Sequence, residues 1–339
     1  MRVFRTTVGI PAEFKGAVVA IGNFDGVHLG HLSILDRVAA EAKGTGAPVG
    51  VVTFEPHPRQ FFQPEAPPFR LMTRESRIRR LESVGVQVVF ELSFDGNLSS
   101  VTAREFARRI LSGELGVSHV VVGEDFRFGK NRGGNAADLA RFGDEDGFSV
   151  SVSPLVADGA FEFSSTAIRK ALSNGQVEQA TQMLGHHHRI EGRVEGGNRR
   201  GRDLGFPTAN LSLVGNFVPA HGVYAVRVDV IGNTNVKTYD GVASIGVRPT
   251  FGQNPANLEV HLFEFDGNLY GNLISVALVS FLRPELRFDN VDALVQAMRT
   301  DCNRSRDILR SKNVGPIQHS SDSKPFNSDP VSGESGSAP

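Results

Sequence analysis

Residues 16–31 read GAVVAIGNFDGVHLGH. The first seven, GAVVAIG, are a short apolar run of the kind that forms a strand buried on both faces. Residues 32–44, LSILDRVAAEAKG, then place apolar side chains at helical spacing and end on glycine. A strand, a polar glycine-rich loop and a helix thus follow one another closely. The rhythm recurs: PVGVVTF (48–54), VQVVFELSF (86–94), SHVVVG (118–123) and FSVSVSPL (148–155) read as strands, with helices over TRESRIRRLESVG (73–85) and TAREFARRILSG (102–113). This alternation predicts a doubly wound parallel sheet with helices on both faces. Ligands of such sheets bind beyond the carboxyl ends of the strands. GNFDGVHLGH (22–31), EPHP (55–58) and GEDFRFGKNRGG (123–134) each begin where a strand ends, so their polar groups are expected to converge.

After SSTAIRKALSNGQVEQATQMLG (164–185), read as two short helices, the period changes to two. GVYAVRVDVIG (222–232), YDGVASIGV (239–247), NLEVHLFEFDG (257–267) and LISVALVSFL (273–282) alternate and are separated by turn residues. That pattern predicts an antiparallel β-barrel or sandwich, closed by an amphipathic helix over 290–310. Residues 311–339 are rich in Ser, Pro, Gly and Asp and cannot bury enough surface to offset their chain entropy, so they read as a disordered tail.

Composition agrees with two domains. The chain has 339 residues, 40 % hydrophobic and 22 % charged, with a net charge of −1. Without a block of basic residues, a dedicated nucleic-acid binder is not expected. One cysteine, Cys302, excludes an internal disulfide and fits the cytoplasm. The opening MRVFRTTVGIPAEFKG has no apolar core of signal-peptide length, and no stretch approaches the roughly 20 apolar residues of a membrane span. The expectation is a soluble, intracellular protein.

Two common nucleotide fingerprints, G-x-G-x-x-G opening a helix and G-x-x-x-x-G-K-[ST], are absent. His28-Leu29-Gly30-His31 stands at a predicted helix start instead, where unpaired N–H groups and a partial positive charge suit a phosphate. Imidazoles there can donate to phosphate oxygens, and Gly30 admits a close approach. Two other readings stay open: a zinc pair completed by Asp25 or His57, and a buried structural histidine.

Taken together, GNFDGVHLGH, TFEPHP (53–58), FRFGKNRGG (126–134) and FSSTAIR (163–169) closely resemble the adenylyltransferase module of bacterial bifunctional riboflavin kinase/FAD synthetases. His-x-Gly-His is the nucleotidyltransferase motif, and four motifs in order make the resemblance specific. It implies a Rossmann-like nucleotidyltransferase domain in which FMN phosphate attacks the α-phosphorus of ATP, releasing pyrophosphate and leaving FAD. His28 and His31 match the phosphate-contacting histidines. Ser164, Ser165, Thr166 and Arg169 match a segment that closes on the triphosphate, although a helix N-cap is the commoner use of such hydroxyls. Gly22, Asn23, Phe24, Asp25 and Gly30 would shape the nucleotide loop. Asp125, Phe126, Arg127 and Phe128 would line the flavin side. Asn135 stands where the family usually carries aspartate.

In the second half, GRVEGGNRRGRDLGFPTANL (192–211) combines anion-binding glycine and arginine character with a string, GFPTAN, similar to the Pro-Thr-Ala-Asn motif of riboflavin kinases. The resemblance implies that Gly201, Arg202, Gly205, Phe206 and Pro207 bind ATP and that Thr208 and Asn210 offer uncharged oxygens to Mg²⁺. Glu259 in LEVHLFEFDGNLYG (258–271) matches the family's general base for the ribityl hydroxyl, which attacks the γ-phosphate of ATP. Read alone it is one more strand glutamate. GVRPTFG (246–252) and FLRPELRFDN (281–290) follow in the family's order, and Asn268 replaces a usual aspartate in a turn. GHHHR (185–189) reads as the interdomain linker, a metal role being the alternative.

The resemblance spans about residues 16–310. The expected domains are 1–185 (FMN adenylyltransferase) and 186–310 (riboflavin kinase), with tail 311–339. The implied substrates are riboflavin, FMN and ATP, FAD is the product, and Mg²⁺ is the cofactor. No nucleic acid or membrane partner is implied, and a homo-oligomer stays open. Activity of one module alone, or a flavin sensor that turns nothing over, are the competing readings.

Overall fold

The computed structural model describes residues 1–154, 157–158, 161–196, 201, 204–232, 235–247 and 256–311. Arg202, the second half of GVRPTFG and nearly all of the expected tail lie outside them. The N-terminal sheet is built from β1 (Arg2–Phe4), β2 (Val18–Ile21), β3 (Val49–Glu55), β4 (Val88–Ser93) and β5 (His119–Gly123). A small hairpin of β6 (Arg127–Phe128) and β7 (Gly134–Asn135) precedes the sixth strand, β8 (Ser149–Ser153). The order is β1-β4-β3-β2-β5-β8 and every pairing in it is parallel.

All four residues of β2 are buried because their alternating side chains enter two different cores. Val19 and Ile21 join Val52, Val88, Phe90 and Leu111 on one face, while Val18 and Ala20 join Leu35, Val38, Val51 and Leu81 on the other. Each such buried side chain contributes about 1.5–3 kcal/mol. The chain runs from β2 outward through β3 to β4 and then returns to place β5 on the other side of β2. This reversal puts the crevice of the sheet at the carboxyl end of β2, where GNFDGVHLGH begins.

The helices expected at 32–44, 73–85, 102–113, 164–185 and 290–310 all form, with two differences, and three more stand at 58–62, 96–100 and 136–146. The first, α1 (Leu29–Lys43), begins three residues earlier than its apolar spacing suggests, with His28 at the N-cap. Next come α2 (Pro58–Phe62), α3 (Arg74–Ser83), α4 (Gly96–Ser100) and α5 (Ala103–Glu105). A capping box between Thr102 and Glu105 starts α5, which runs on into a wider helical stretch, Phe106–Leu115. The domain is completed by α6 (Ala136–Asp146), α7 (Ser165–Ser173) and α8 (Val177–Leu184).

Beyond two short strands, β9 (Ala157–Asp158) and β10 (Phe161–Glu162), lies the C-terminal barrel. Its strands are β11 (Arg189–Arg193), β12 (Ala209–Ser212), β13 (Gly222–Ile231), β14 (Val236–Val247), β15 (Ala256–Leu262) and β16 (Leu273–Pro284). They pair antiparallel in the order β11-β16-β13-β14-β15-β12, and a bridge from Glu195 to Asn210 nearly closes the barrel. Leu258, Val260 and Leu262 point inward with Tyr224, Val226 and Leu278. Asn257, Glu259 and His261 therefore point outward. The closing helix (Val291–Ser311) covers part of that outer surface through Cys302 and Leu309, packed with Val223, Ala225, Val279 and Leu282.

The linker is buried. His186 sits with its Nδ1 2.9 Å from the His187 carbonyl and its Nε2 3.0 Å from the Gly26 carbonyl, while His187 Nδ1 lies 3.2 Å from Thr181 Oγ1. Among the described residues no group of three or more His, Cys, Asp or Glu could hold a metal ion. No helix of the described residues is long and apolar enough to cross a membrane.

Candidate active sites

The loop after β2 is strained. Phe24 and Val27 adopt φ of 51° and 40°, conformations that L side chains rarely take and that cost about 1–3 kcal/mol each. Contacts from distant segments hold it there. Asp25 Oδ1 accepts from the backbone N–H groups of Leu71 at 2.9 Å and Met72 at 3.3 Å, and Oδ2 accepts from Arg169 Nη2 at 2.5 Å. Ser165 Oγ donates to the Asp25 carbonyl at 2.8 Å. Arg77 Nη1 donates to the Asn23 carbonyl at 3.2 Å. Arg77 is itself fixed by Glu55 and Glu91, in a buried ion cluster that Arg70 and Arg74 extend. Gly22 continues the sheet, donating to the Val52 carbonyl at 3.1 Å.

His28 and His31 stack with ring centroids 3.7 Å apart, and Phe24 lies 5.0 Å from His31. The Nδ1 atoms of both are buried with no hydrogen-bond partner among the described residues. Burial, assisted by the Arg169 charge, lowers the His28 pKa to about 4. Burial and the neighbouring His28 likewise push His31 well below the ordinary histidine value. Both rings are therefore neutral at physiological pH. The zinc reading loses its third ligand: Asp25 is committed to Arg169 and two backbone N–H groups, and His57 Nδ1 caps α2 by accepting from Arg59 N–H at 3.0 Å.

The start of α7 closes over this pair. A β-carbon at Gly30 would lie 3.0 Å from the Phe163 carbonyl oxygen and 3.2 Å from the His28 ring, so any larger residue would have to push one of them back. Ser164 is the N-cap of α7, accepting from Ala167 N–H at 3.2 Å, and Thr166 is exposed beside it. Arg169 donates through Nε to the Phe69 carbonyl at 2.6 Å and through Nη2 to Asp25. The structure thus joins Asp25 and Arg169 directly, a pairing that no motif signals. Burial pushes the Asp25 carboxyl up, against the pull of Arg169.

In the segment expected to line the flavin, Phe126 and Phe128 stack 5.3 Å apart. Phe128 points into the core against Phe106, while Asp125 and Arg127 are exposed and Phe126 is half-buried. Asn135 caps α6, accepting from Asp138 N–H at 3.0 Å, while Asp138 accepts from Asn135 N–H at 3.2 Å. Aspartate and asparagine serve equally at that position, which accounts for the departure. Sequence reading missed an aromatic group after β3 and β4: Phe61 and Phe62 pack edge-on against Phe94, and Phe62 is 64 % exposed. The FF pair two residues beyond EPHP was the available signal.

On the barrel, two cavities meet at Thr208. One, of about 350 Å³, lies between the outer strand face and the closing helix, lined by Phe206, Thr208, Ser244, Glu259, Met298 and Cys302 among others. The other, of about 400 Å³, is lined by Pro207, Thr208, Leu262, Phe265, Asn268 and Tyr270 among others. Asn210, 6 % exposed, stands directly opposite Glu259 in the β12–β15 ladder. Asn257 donates to Asn210 Oδ1 at 3.2 Å and to Glu259 Oε1 at 3.4 Å. The loop before β12 folds tightly: Phe206 N–H donates to the Gly201 carbonyl at 2.7 Å, and a β-carbon at Gly201 would fall 2.4 Å from the Phe206 carbonyl oxygen. Gly205 takes φ +85°. Asn268 accepts from Tyr270 N–H at 3.0 Å, a turn that aspartate would make equally well.

The chain matches the FAD synthetase family model over residues 10–167 and the riboflavin kinase family model over residues 184–309. It is 42 % identical over 308 residues to the bifunctional riboflavin kinase/FMN adenylyltransferase of Pseudomonas fluorescens, covering 90 % of this chain and 97 % of that one. Against the protein of the same description from Escherichia coli K12 the identity is 39 %, covering 88 % and 94 %. A crystal structure titled as a macrolide-efflux protein from Streptococcus pneumoniae shares the fold, with a TM-score of 0.80 at 32 % identity over 90 % of this chain and 98 % of that chain. With its two modules in the same order and over nearly their whole length, this chain belongs to the bifunctional riboflavin kinase/FMN adenylyltransferase family.

Proposed function

We propose that the stacked histidines and the start of α7 carry FMN adenylylation in the N-terminal domain, and that Thr208, Asn210 and Glu259 carry riboflavin phosphorylation on the barrel. In the first reaction an FMN phosphate oxygen bonds to the α-phosphorus of ATP as the bond to pyrophosphate breaks. No protein nucleophile is required, so catalysis is positioning and charge stabilisation. Neutral His28 and His31 donate N–H to phosphate oxygens at the N-terminus of α1, with Gly30 admitting the phosphates. Ser164, Ser165 and Thr166 bring hydroxyls, and Arg169 keeps further guanidinium donors beyond those used on Asp25 and Phe69. Gly22, Asn23, Phe24 and Asp25 shape the loop. Phe126 offers its ring to the flavin with Phe128 behind it, and Asp125 and Arg127 flank the edge.

On the barrel, the cavity under the closing helix takes riboflavin and the cavity by Pro207 takes ATP. Gly201 and Phe206, which line the first cavity beside Thr208, would bind the ATP phosphates where the two cavities meet, together with Gly205 and with Arg202, which lies outside the described residues. The observation that carries this is Thr208, which lines both cavities and so stands where a phosphoryl group would pass between them. Glu259 accepts the proton of the ribityl hydroxyl as that oxygen bonds to the γ-phosphorus and ADP leaves. Thr208 and Asn210 suit Mg²⁺: they are hard, uncharged oxygen donors, two in number, which leaves the remaining positions to phosphates and waters. When bound, Mg²⁺ would neutralise charge on the β- and γ-phosphates.

The domains divide near Gly185, whose φ of 74° ends α8. ATP as substrate and a single buried thiol support a cytoplasmic location. The assignment is tested by supplying riboflavin or FMN separately. Thr208→Ala and Asn210→Ala should lose FMN formation and keep FAD formation from FMN. Arg169→Ala should do the reverse, and a variant that lost the opposite step would refute the assignment of its residue.

A further inference from the structure

We infer that Asn257 is a positioning residue for riboflavin phosphorylation: its side-chain amide holds the Glu259 carboxylate and the Asn210 carboxamide in one orientation. The inference rests on the reading of Glu259 as the base. Asn257 and Glu259 are two residues apart on β15 and share its outer face, and the β12–β15 register sets Asn210 opposite Glu259 and Ser212 opposite Asn257. Asn257 Nδ2 is 3.2 Å from Asn210 Oδ1 and 3.4 Å from Glu259 Oε1. An ionised carboxylate only accepts, so the amide nitrogen must face it, and the orientation of the Asn257 side chain follows from chemistry. Its two N–H groups then serve two acceptors.

The consequence is geometric. Fixing Oε1 fixes the plane of the carboxylate, and with it the direction in which the second oxygen can take a proton. The Asn210 carbonyl oxygen can accept along either of two lone-pair directions, and the bond from Asn257 fixes which of them it uses. Nothing in the sequence motifs marks Asn257, which lies two residues before the glutamate they contain. Its amide supplies donors to groups that are themselves acceptors, and a hydrophobic or acidic side chain could not replace it.

Asn257→Ala and Asn257→Asp separate this from a space-filling role. Aspartate keeps the shape but has no donor and sets a second negative charge against Glu259. The expected result is a kcat for riboflavin phosphorylation lowered roughly tenfold in Asn257→Ala and about a hundredfold in Asn257→Asp. The KM for riboflavin, riboflavin binding read by fluorescence quenching, and FAD formation from supplied FMN should stay near wild type. Asn257→Ser, which keeps one donor, should recover part of the loss. An Asn257→Asp enzyme faster than Asn257→Ala would show that shape alone matters and overturn the inference, as would wild-type kcat in Asn257→Ala. Glu259→Gln, assayed alongside, tells the two claims apart. If it phosphorylates riboflavin at the wild-type rate, the base assignment fails. If it is inactive while Asn257→Ala is unimpaired, only the role of Asn257 fails.

Discussion

Asp25 links three segments of chain: its carboxylate takes two backbone N–H groups from residues 71 and 72 and one guanidinium from α7. Asp25→Asn should keep the shape and lose the charge that faces Arg169, destabilising the N-terminal domain by about 3 kcal/mol, the low end for breaking a buried pair because Arg169 is partly exposed. FAD formation should fall while FMN formation persists, and a chemical denaturation curve with both product assays checks it. Asn135 makes the milder case. Asn135→Asp should be neutral, and Asn135→Ala should cost about 1 kcal/mol, read as a lower denaturant midpoint. At this scale His28, His31, Thr208, Asn210 and Glu259 were legible as candidates, since each sits in a distinctive string. The Asp25–Arg169 pair was not, because 144 residues separate the partners and neither neighbourhood names the other. Asn257 was illegible for a different reason: its role depends on strand register.

Among the elements, the central parallel strands and the early helices could be read from period alone, because those strands are buried on both faces and each helix on one, whereas the short, partly exposed edge strand β1 could not. The wide stretch Phe106–Leu115 could not, since its apolar spacing fits an ordinary helix. β11 and β12 were equally hidden: RIEGR and ANLS carry too few alternating apolar residues to stand out. The loop before β12 gives the sharpest element-scale prediction. Gly201→Ala sets a β-carbon against backbone, which cannot swing aside as a side chain can, so riboflavin phosphorylation should drop with the KM for ATP raised. FAD formation from FMN should be unchanged in the same preparation.

For the whole molecule, two domains were legible from the change of period near residue 187, but their joint was not. Glu191 on the barrel accepts from Ser76 at 2.8 Å and pairs with Arg79, both on α3, and His186 reaches the Gly26 carbonyl in the nucleotide loop. The consecutive histidines read as the interdomain linker are part of this packed interface. Burial lowers His28 and His188 to about 4 and His57 and His186 to about 3. Unfolded histidines titrate near 6.5, so between that value and the lowered ones the unfolded chain binds more protons than the folded protein. Stability should therefore be intact above about pH 6.5 and decline as the pH falls below it. Urea midpoints at about pH 7.5 and pH 5.5 test this, and an equal or higher midpoint at the lower pH would contradict it.

The central claim is that one chain carries two separable sites, and the most direct measurement is product analysis of His28→Ala and Glu259→Ala with riboflavin, ATP and Mg²⁺, and again with FMN supplied. The account predicts that His28→Ala makes FMN and ADP but no FAD or pyrophosphate. It predicts that Glu259→Ala makes no FMN from riboflavin yet converts supplied FMN to FAD. Loss of both steps from either substitution in a folded protein would contradict it.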